Sequence, residues 1–490
     1  MSVIKEVIIS RIKKIEAIEK AGFSAYPSYS SQNGRTSNIN IALNLFSKIQ
    51  KSKKKIILVG RIKTLRRHGK ITFLDIADES GSMQGLIKAD GIGENRYNFF
   101  LDNFDIGDFI EIKGTLFKTK KGEKTIEVSN FKILTKNLFP LPEKWHGLQD
   151  EEERFRKRYL DLIFNKEVRE KFEKRTAITK AIREFLDGEG FLEVETPVLQ
   201  GIYGGADAKP FSTHLNAFDL DMYLRISLEL PLKRLIVGGF ERVYEIGRVF
   251  RNEGVDRQHN PDFTMLEFYW AYADYKDLMK LTEKLFSYLL KKVFGRNKIV
   301  YEGKEINFKT PWKRIEYRDL IKNYTKLDID YLNRDALVKE AKKLGLIVET
   351  AWNKAKIIDE IYKKYCRPKI WDPVFVIHHP IEMKPLAKAR QGNPEIAESF
   401  QLIVAGWELI NAFSELNNPI EQKKRFEEQE GLFRKGLEDA QRMDIDFVEA
   451  LEYGMPPAAG FGMGIDRLTA LLTDSHSLRE VILFPTMKPR

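Results

Sequence analysis

The sequence predicts an α+β protein in which a small N-terminal β-barrel precedes a larger domain with an antiparallel sheet flanked by helices. Five short runs of alternating apolar and polar residues lie between residues 56 and 134, and turns rich in Gly, Asp or Lys separate them. Paired strand-like runs and amphipathic helical runs follow in the rest of the chain. With 490 residues, 43% of them hydrophobic, the chain is long enough to bury more than one core.

The N-terminal runs suit a five-stranded barrel because each is short and each ends at a turn signal. They read IILVGRI, ITFLDIADE, MQGLIKAD, DFIEIKGTLFKT and KTIEVSNFKIL. The stretch LFPLPEKWHGLQ then breaks the strand pattern with two prolines before a charged helix begins. We therefore predict one domain over residues 1–145, including a helical and then Ser/Asn/Gly-rich appendage over residues 1–50, and a second domain over residues 146–490.

The positive charge of the chain is concentrated in the predicted barrel domain. Residues 1–145 contain 26 Lys and Arg against 15 Asp and Glu, whereas the remainder contains 56 of each, so the net charge of +11 belongs to the first domain. A basic module beside a neutral one favours contact with a nucleic-acid backbone. A solvated lysine-rich surface is the alternative that charge alone leaves open.

Composition excludes several other classes. No run approaches the roughly 18 apolar residues of a membrane span, and the start MSVIKEVIISRIKK lacks the apolar core of a signal peptide. The single cysteine, Cys366, excludes an internal disulfide and a multi-cysteine zinc site. We expect a cytoplasmic protein with no membrane association.

Residues 240–269 predict a hairpin that carries polar chemistry on one face. From Phe263 to Trp270 the odd positions include Glu267 and Tyr269, and the even positions are mostly apolar. Arg251 offers a planar fork of donors for a carboxylate or phosphate, and Phe263 offers a flat surface for a purine. Taken by itself, this hairpin could also be part of an ordinary sheet whose Arg and Glu side chains face solvent.

A glycine-rich run near the C-terminus, GFGMGIDRLTALL, places three alternate glycines before an amphipathic helix with Arg467 in its first turn. Such glycines let a ligand approach the backbone closely. Many glycine-rich turns are only tight corners, so this run indicates a ligand site only in combination with the hairpin.

Together these segments resemble the class II aminoacyl-tRNA synthetases. FRNEG, HNPDFTMLE and GMGIDR are similar to motifs 2 and 3 of that class, at about residues 240–269 and 460–472, and FLDGEGFLEVETPVL is similar to motif 1, at about residues 185–199. GGADAKPF, DLDMYLRISLELPLKRL and WELINAFSELNNP resemble segments of the lysyl-tRNA synthetase family. The resemblance implies an OB-fold anticodon-binding domain, a helical insertion at about residues 295–367, and a homodimer formed through motif 1.

The resemblance also implies two-step acyl transfer with L-lysine, ATP, Mg²⁺ and tRNA(Lys). Aspartyl and asparaginyl enzymes share the architecture, but their pockets are expected to present a cation or an amide donor. Here Glu229, Glu267 and Glu415 present three acids, which suit a substrate with two ammonium groups.

Site residues carry over from the matching motifs. Arg251 is expected to bridge the lysine carboxylate and the α-phosphate as the catalytic residue. The resemblance assigns the lysine pocket to Gly205, Glu229, Arg251, Glu267, Tyr269, Asn411, Phe413, Glu415 and Gly462. It assigns the ATP site to Arg251, Glu253, His259, Asn260, Phe263, Glu408 and Arg467, with Phe263 and Arg467 on either side of the adenine.

Two further sets follow from the same resemblance. Glu408 and Glu415 are expected at the magnesium site, together with position 401, where this chain has the neutral Gln401 in place of an acid. Phe73 and Gln84 are expected to stack on and hydrogen-bond to anticodon bases.

Three alternatives remain at this point. A truncated paralogue that lysylates a protein would share the catalytic motifs but would usually lack the barrel. A non-enzymatic nucleic-acid-binding module would not need Arg251, Glu253, Phe263 and Arg467 together. An aspartyl- or asparaginyl-type enzyme is disfavoured by the acidic pocket.

Overall fold

The computed structural model describes residues 2–30, 34–142, 150–434 and 441–489. The chain forms two compact units, residues 1–147 and 148–490. The domain boundary predicted between residues 145 and 146 lies outside the described residues.

The first unit contains five helices and five strands within its described residues. They are α1 (Ser2–Lys20), α2 (Ile39–Asn44), α3 (Phe46–Ser52), β1 (Ile56–His68), β2 (Ile71–Asp78), β3 (Gly81–Lys88), α4 (Ala89–Ile92), α5 (Glu94–Asn103), β4 (Phe109–Lys118) and β5 (Lys124–Thr135).

The five strands close into a barrel in the order β1-β2-β3-β5-β4, which confirms the predicted five-stranded barrel. Strand β2 alternates between interior and exterior, with Thr72, Leu74 and Ile76 buried at every second position. The barrel core also takes in Ile18 of α1 and Phe46 of α3, so the N-terminal helices belong to the same hydrophobic core.

The second unit holds the remaining helices and strands. They are α6 (Glu151–Arg156), α7 (Arg158–Phe164), α8 (Lys166–Gly188), β6 (Leu192–Glu193), β7 (Leu199–Gln200), β8 (Ser212–Leu215), β9 (Leu220–Leu224), α9 (Glu229–Val237), β10 (Arg242–Phe250), β11 (Asp262–Ala271), α10 (Tyr275–Phe294), β12 (Lys298–Tyr301), β13 (Lys304–Asn307), β14 (Lys313–Glu316), α11 (Tyr317–Thr325), α12 (Arg334–Lys343), α13 (Lys354–Ile361), β15 (Val374–Ile377), β16 (Ala389–Arg390), β17 (Asn393–Ala397), β18 (Ser399–Val404), β19 (Trp407–Ser414), α14 (Pro419–Arg434), α15 (Ile445–Glu452), β20 (Ala458–Gly464) and α16 (Ile465–Leu472).

An eight-stranded sheet organises this unit, in the order β14-β15-β18-β19-β20-β11-β10-β6. It is antiparallel except at its two edges, where β14 pairs parallel with β15 and β6 pairs parallel with β10. The predicted hairpin is confirmed, because β10 and β11 pair antiparallel with Glu245 opposite Glu267. The α+β architecture predicted from the sequence is therefore present.

Local sequence explains the ends of these elements. Helix α10 begins at a reciprocal capping box between Asp274 and Asp277 and ends at Gly295, whose φ of 69° is left-handed. The β18–β19 hairpin turns through Ala405 and Gly406, with φ values of 48° and 75°. Two consecutive left-handed residues are what a two-residue hairpin loop requires.

The two faces of β11 meet different surroundings. Leu266 and Phe268 join the large core that includes α8 and α10. Tyr269, Phe263 and Met265 face the opposite side with Phe413 of β19. The alternation predicted from the sequence thus separates a packed face from the face that carries the polar residues.

The predicted helical insertion over residues 295–367 differs from the structure in its first part. Strands β12 and β13 form a hairpin there, turning at Glu302 and Gly303, which both have positive φ. Strand β14 then joins the edge of the main sheet. Helices begin only at Tyr317. The buried residues Ile299, Tyr301 and Ile306 follow a period of two, but each strand is only four residues long, so the pattern is too short to identify from the sequence.

No helix within the described residues has the length and apolar character needed to cross a membrane.

Candidate active site

A cavity of about 270 Å³ opens on the polar face of the main sheet. Its floor is a row of residues that face each other across neighbouring strands, with Asn411 of β19 opposite Gly462 of β20 and Gly462 opposite Glu267 of β11. Residues directly opposite in a sheet share a face. The predicted site residues that line this cavity are Gly205, Glu229, Arg251, Glu253, His259, Asn260, Phe263, Glu267, Tyr269, Glu408, Asn411, Phe413, Gly462 and Arg467.

The alternate glycines of β20 make room for the side chains of β11. A Cβ atom on Gly460 would lie 2.5 Å from Cε1 of Tyr269 and 2.0 Å from Oε1 of Glu415. A Cβ atom on Gly464, by contrast, would meet nothing closer than 3.7 Å. Gly460 is therefore required by packing beneath the cavity.

Glu267 is buried at the centre of the site and is held by three donors. Its Oε1 accepts hydrogen bonds from Ser227 Oγ at 2.8 Å and from the Leu228 amide at 2.9 Å. Its Oε2 accepts one from the Tyr269 hydroxyl at 3.0 Å. Burial and then the nearby charge of Glu229 raise the pKa of Glu267 to about 7, although these hydrogen bonds oppose the rise. A cationic ligand would favour the ionised form.

Gly205 brings the backbone close to this acidic end of the cavity. Its φ is +83°, a conformation natural only to glycine, and a Cβ atom there would lie 2.9 Å from both Ser227 Oγ and Glu229 Cβ. Conformation and space both require glycine at this position.

Glu415 does not line the cavity, contrary to the prediction that it faces a substrate ammonium. Its carboxylate forms an ion pair with Lys233, and both side chains are fully buried. Lys233 also donates a 2.5 Å hydrogen bond to Glu229. The sequence-based prediction missed this arrangement because it counted three acids and overlooked the lysine four residues after Glu229.

Arg251 directly follows β10 and lies beside Phe263, near the start of β11. Its Nε donates to the Ile226 carbonyl at 3.2 Å, and its guanidinium carbon lies 5.3 Å from the ring centroid of Phe263. Arg251 lines the cavity, and no residue in the described parts of the chain forms a hydrogen bond or ion pair with its terminal nitrogens. The Phe263 ring, predicted to stack on adenine, is in contact with Arg251 in this state.

The loop between β10 and β11 brings three further predicted residues to the cavity. Glu253 is exposed, and His259 Nδ1 is 2.9 Å from both carboxylate oxygens of Asp256. Asn260 is buried and donates to the Asp262 carbonyl at 2.6 Å, whereas its Oδ1 has no hydrogen-bond partner among the described residues.

Arg467 and Glu408 meet where α16 follows β20. Arg467 Nη1 donates to the Glu408 carbonyl at 3.2 Å, and Arg367 Nη1 lies 3.5 Å from the Glu408 carboxylate. Burial opposes ionisation of Glu408, but the charges of Arg467, Arg367 and Lys384 outweigh it and hold its pKa below the ordinary value. Glu408 is therefore an anion at neutral pH.

The residues predicted for magnesium are not brought together. Gln401 lies on the face shared with Asn411, but its Oε1 accepts from the Tyr362 hydroxyl at 3.2 Å and it does not line the cavity. Glu415 is paired with Lys233. In the described parts of the chain, no three His, Cys, Asp or Glu side chains are grouped so that they could hold a metal ion. Only Glu408 of the predicted set fits a magnesium ion, and it would do so with ligand phosphates.

Lys384 is a cavity residue that the sequence-based prediction missed. Its Nζ donates to Asn411 Oδ1 at 2.6 Å. Neither a motif nor a period marks this lysine, since it follows an irregular turn. Asp466 was also missed: it accepts from the Thr264 amide at 2.7 Å and from Arg175 at 2.5 Å, which anchors the start of α16 to β11.

In the first unit, Phe73 and Gln84 lie on the outside of the barrel. Both are half-buried, and neither belongs to the barrel core. Gln84 is opposite Asp75, two residues from Phe73, so the two predicted side chains occupy one face of β2 and β3. Thr125 Oγ1 donates to Gln84 Oε1 at 2.9 Å.

Comparison with known proteins places this geometry in a family. Residues 150–488 match the family model described as tRNA synthetases class II (D, K and N), and residues 56–134 match the OB-fold nucleic acid binding domain. The chain therefore belongs to the class II tRNA synthetases of this D, K and N family, with an N-terminal OB-fold.

The names of individual relatives are more specific than the description of the family. The Lysine--tRNA ligase of Thermoanaerobacter sp. (strain X514) is 49% identical over 489 residues, which cover 99% of this chain and 97% of the relative. The Lysine--tRNA ligase of Carboxydothermus hydrogenoformans is 48% identical over 489 residues, 99% of each chain. That of Clostridium tetani is 51% identical over 441 residues, 89% of this chain and 88% of the relative.

Proposed function

We propose that this protein activates L-lysine with ATP to form lysyl-adenylate and then transfers lysine to the 3′ end of tRNA(Lys). The observation that carries the proposal is the polarity of the cavity. Carboxylates of Glu229 and Glu267 line one part, and the guanidinium groups of Arg251 and Arg467 line another. A zwitterion with a second ammonium group and an anionic nucleotide together match this distribution.

The first step joins the lysine carboxylate to the α-phosphorus of ATP. A carboxylate oxygen forms the new P–O bond as the bond to pyrophosphate breaks, so no proton transfer is required. Catalysis then depends on orientation and on neutralising charge between two anions. Arg251 is suited to this because it lines the cavity while its Nε is fixed on the Ile226 carbonyl.

The acidic end of the cavity would select the amino acid. Glu229 and the Gly205 backbone suit the α-ammonium group, and Glu267 with Tyr269 suits the side-chain ammonium. Asn411, Phe413 and Gly462 complete the walls. Glu415 would act through Lys233, which balances part of the acidic charge. A neutral side chain in the pocket would leave buried carboxylates without a partner, which costs about 1–3 kcal/mol or more.

The nucleotide would lie toward Phe263. From Phe263 to Tyr269 the strand advances six residues, roughly 20 Å, which is enough to separate an adenine from the lysine side chain. Arg467 and Glu253 would hold the base, and His259 and Asn260 would contact the phosphates or ribose from the loop.

Magnesium would accompany ATP. One ion held by Glu408 and the phosphates suits the preference of Mg²⁺ for one or two carboxylates plus substrate oxygens. It would supply charge to the phosphates. Gln401 and Glu415 do not fit as further ligands.

In the second step a ribose hydroxyl of the tRNA attacks the lysyl carbonyl and AMP leaves. The N-terminal segment with the OB-fold carries the excess positive charge of the chain, which suits tRNA, and Phe73 with Gln84 would contact the anticodon. Such an enzyme works with the translation machinery in the cytoplasm.

We further propose that the protein is a homodimer. Strand β6 forms an edge of the main sheet, and apolar side chains are exposed along the segment that follows α8. Leu192, Val198, Leu199 and Ile202 are all between 37% and 50% exposed. Several exposed apolar side chains along one segment suit an interface, and a twofold dimer is the commonest arrangement.

Amino-acid-dependent ATP/pyrophosphate exchange tests the proposal without tRNA. We expect exchange with lysine and little with ornithine, aspartate or asparagine. Exchange with another amino acid would keep the fold and overturn the pocket assignment, whereas no exchange at all would contradict the enzymatic proposal. Charging of tRNA(Lys) transcript then tests the second step.

A further inference from the structure

The strongest disagreement between the expected chemistry and the structure lies beside Glu408. Position 401, where an acid is expected for magnesium, carries a neutral amide, and the ammonium of Lys384 contacts the neighbouring strand β19. Gln401 of β18 is directly opposite Asn411 of β19. Lys384 Nζ donates to Asn411 Oδ1 at 2.6 Å.

The ammonium of Lys384 faces the cavity and has no ion-pair partner among the residues that the structure describes. Burial lowers its pKa, and of the surrounding carboxylates Glu408 opposes this most. A cation in a ligand cavity without a carboxylate in contact is placed to meet an anion.

Two side chains of α14 hold the backbone that follows Lys384. Arg425 Nη1 donates to the Ala387 carbonyl at 2.7 Å, and Gln422 Nε2 donates to the Pro385 carbonyl at 3.3 Å. Both donors are buried side chains of α14. The backbone that follows Lys384 is therefore held in place, and the Asn411 side chain is the hydrogen-bond partner of its ammonium.

Charge balance supports a substitution of one cation for another. An acid at position 401 with one Mg²⁺ would contribute a net charge of +1 to the site, and a neutral Gln401 with the Lys384 ammonium contributes the same. Side chains directly opposite in a sheet, such as Gln401 and Asn411, have Cβ atoms about 5 Å apart. Because the Lys384 ammonium contacts Asn411, an acid at position 401 would be within its reach and would pair with it.

We infer that the Lys384 ammonium takes the place of one magnesium ion at the ATP phosphates, so that this protein binds ATP with a single metal ion, held at Glu408. The inference rests on the proposed function. It concerns Lys384 and Gln401, and it adds Lys384 to the residues proposed to contact the nucleotide.

Counting metal ions tests it directly. Mn²⁺ is titrated into protein held in excess over ATP, without lysine, and the free Mn²⁺ is followed by electron paramagnetic resonance. ATP binding is measured in parallel by equilibrium dialysis. We expect one tightly bound Mn²⁺ per bound ATP for the unaltered protein. Two would overturn the inference, and this result needs no variant to fold.

Variants locate the effect. The double variant Lys384→Met/Gln401→Glu should bind two Mn²⁺ per ATP, because it restores an acid and removes the competing cation. Gln401→Glu alone should still bind one, since the new acid pairs with Lys384. A double variant that is folded by thermal unfolding, binds ATP and still holds one ion would contradict the inference.

Lys388→Met is the matched control. It makes the same change four residues further on, where Nζ donates to Asn417 at 2.9 Å outside the cavity. Its metal count should be unchanged. Absence of ATP binding by the unaltered protein would overturn the proposed function as well, whereas ATP binding with two ions would overturn only the role of Lys384.

Discussion

Lys233 and Glu415 form an ion pair in which both side chains are fully buried beneath the cavity. The same ammonium reaches Glu229 at 2.5 Å, so a single lysine joins two of the three acids assigned to substrate binding. The acidic end of the pocket is therefore a partly balanced cluster, and its remaining charge is what a substrate ammonium would meet.

Lys233→Met should destabilise the fold strongly. Removing one partner of a buried pair leaves uncompensated charge and costs about 3–5 kcal/mol. Urea unfolding followed by circular dichroism measures the loss, and the double variant Lys233→Met/Glu415→Gln should recover part of it. A single variant as stable as the parent would show that the pair contributes nothing.

Glu267 should make lysine binding depend on pH. Its pKa of about 7 in the free protein means that much of the group is protonated near neutrality. A bound ammonium favours the carboxylate, so the KM for lysine should rise as the pH falls below about 7. The Glu267→Gln variant should show a higher KM that no longer changes over this range. Exchange assays from pH 6 to 8 make the measurement.

The same group should also affect stability with the opposite sign. A folded-state pKa above the unfolded value of 4.5 means that the folded protein binds the proton more tightly. The contribution of Glu267 to stability is then greatest below pH 4.5 and is lost as the pH rises through about 7, by about 3 kcal/mol at most. Glu267→Gln should remove this contribution, and the difference between the two unfolding profiles isolates it from other titrating groups. Parallel profiles would be inconsistent with the raised pKa.

Arg251→Lys should lower kcat for pyrophosphate exchange by roughly 100-fold or more, because a point charge does not replace a planar fork between two anions. Unfolding should change little. Arg248→Lys in the same hairpin is the control, since Arg248 pairs with Asp262 at 2.6 Å and does not line the cavity. Equal losses in the two variants would remove the special role of Arg251.

Sequence reasoning succeeded where residues of one type recur at a fixed spacing along the chain. The alternation of Phe263, Glu267 and Tyr269 gave the face of β11 that lines the cavity. It failed where partners meet only after folding. Lys233 reads as one charge on an amphipathic helix, and its pairing with Glu415 depends on contact between α9 and the end of β19.

The insertion shows a second cause of failure. Strands β12 and β13 are only four residues long and carry exposed lysines, so their alternation is shorter than the window that separates strand from helix. Lys384 was missed for a third reason, because irregular turns have no period from which the direction of a side chain follows.

Gly460→Ala should both destabilise the protein and weaken lysine binding. The added methyl group would overlap Tyr269 and the Glu415 carboxylate, and overpacking of this kind costs about 1–3 kcal/mol. Because Tyr269 holds Glu267, its displacement should raise the KM for lysine more than the KM for ATP. Gly464→Ala is the matched control on the same strand, since its Cβ meets only ordinary contacts at 3.7 Å and beyond. Thermal unfolding and exchange kinetics on both variants decide the matter: if Gly464→Ala is as damaging as Gly460→Ala, backbone freedom at these glycines matters more than the space beside Tyr269.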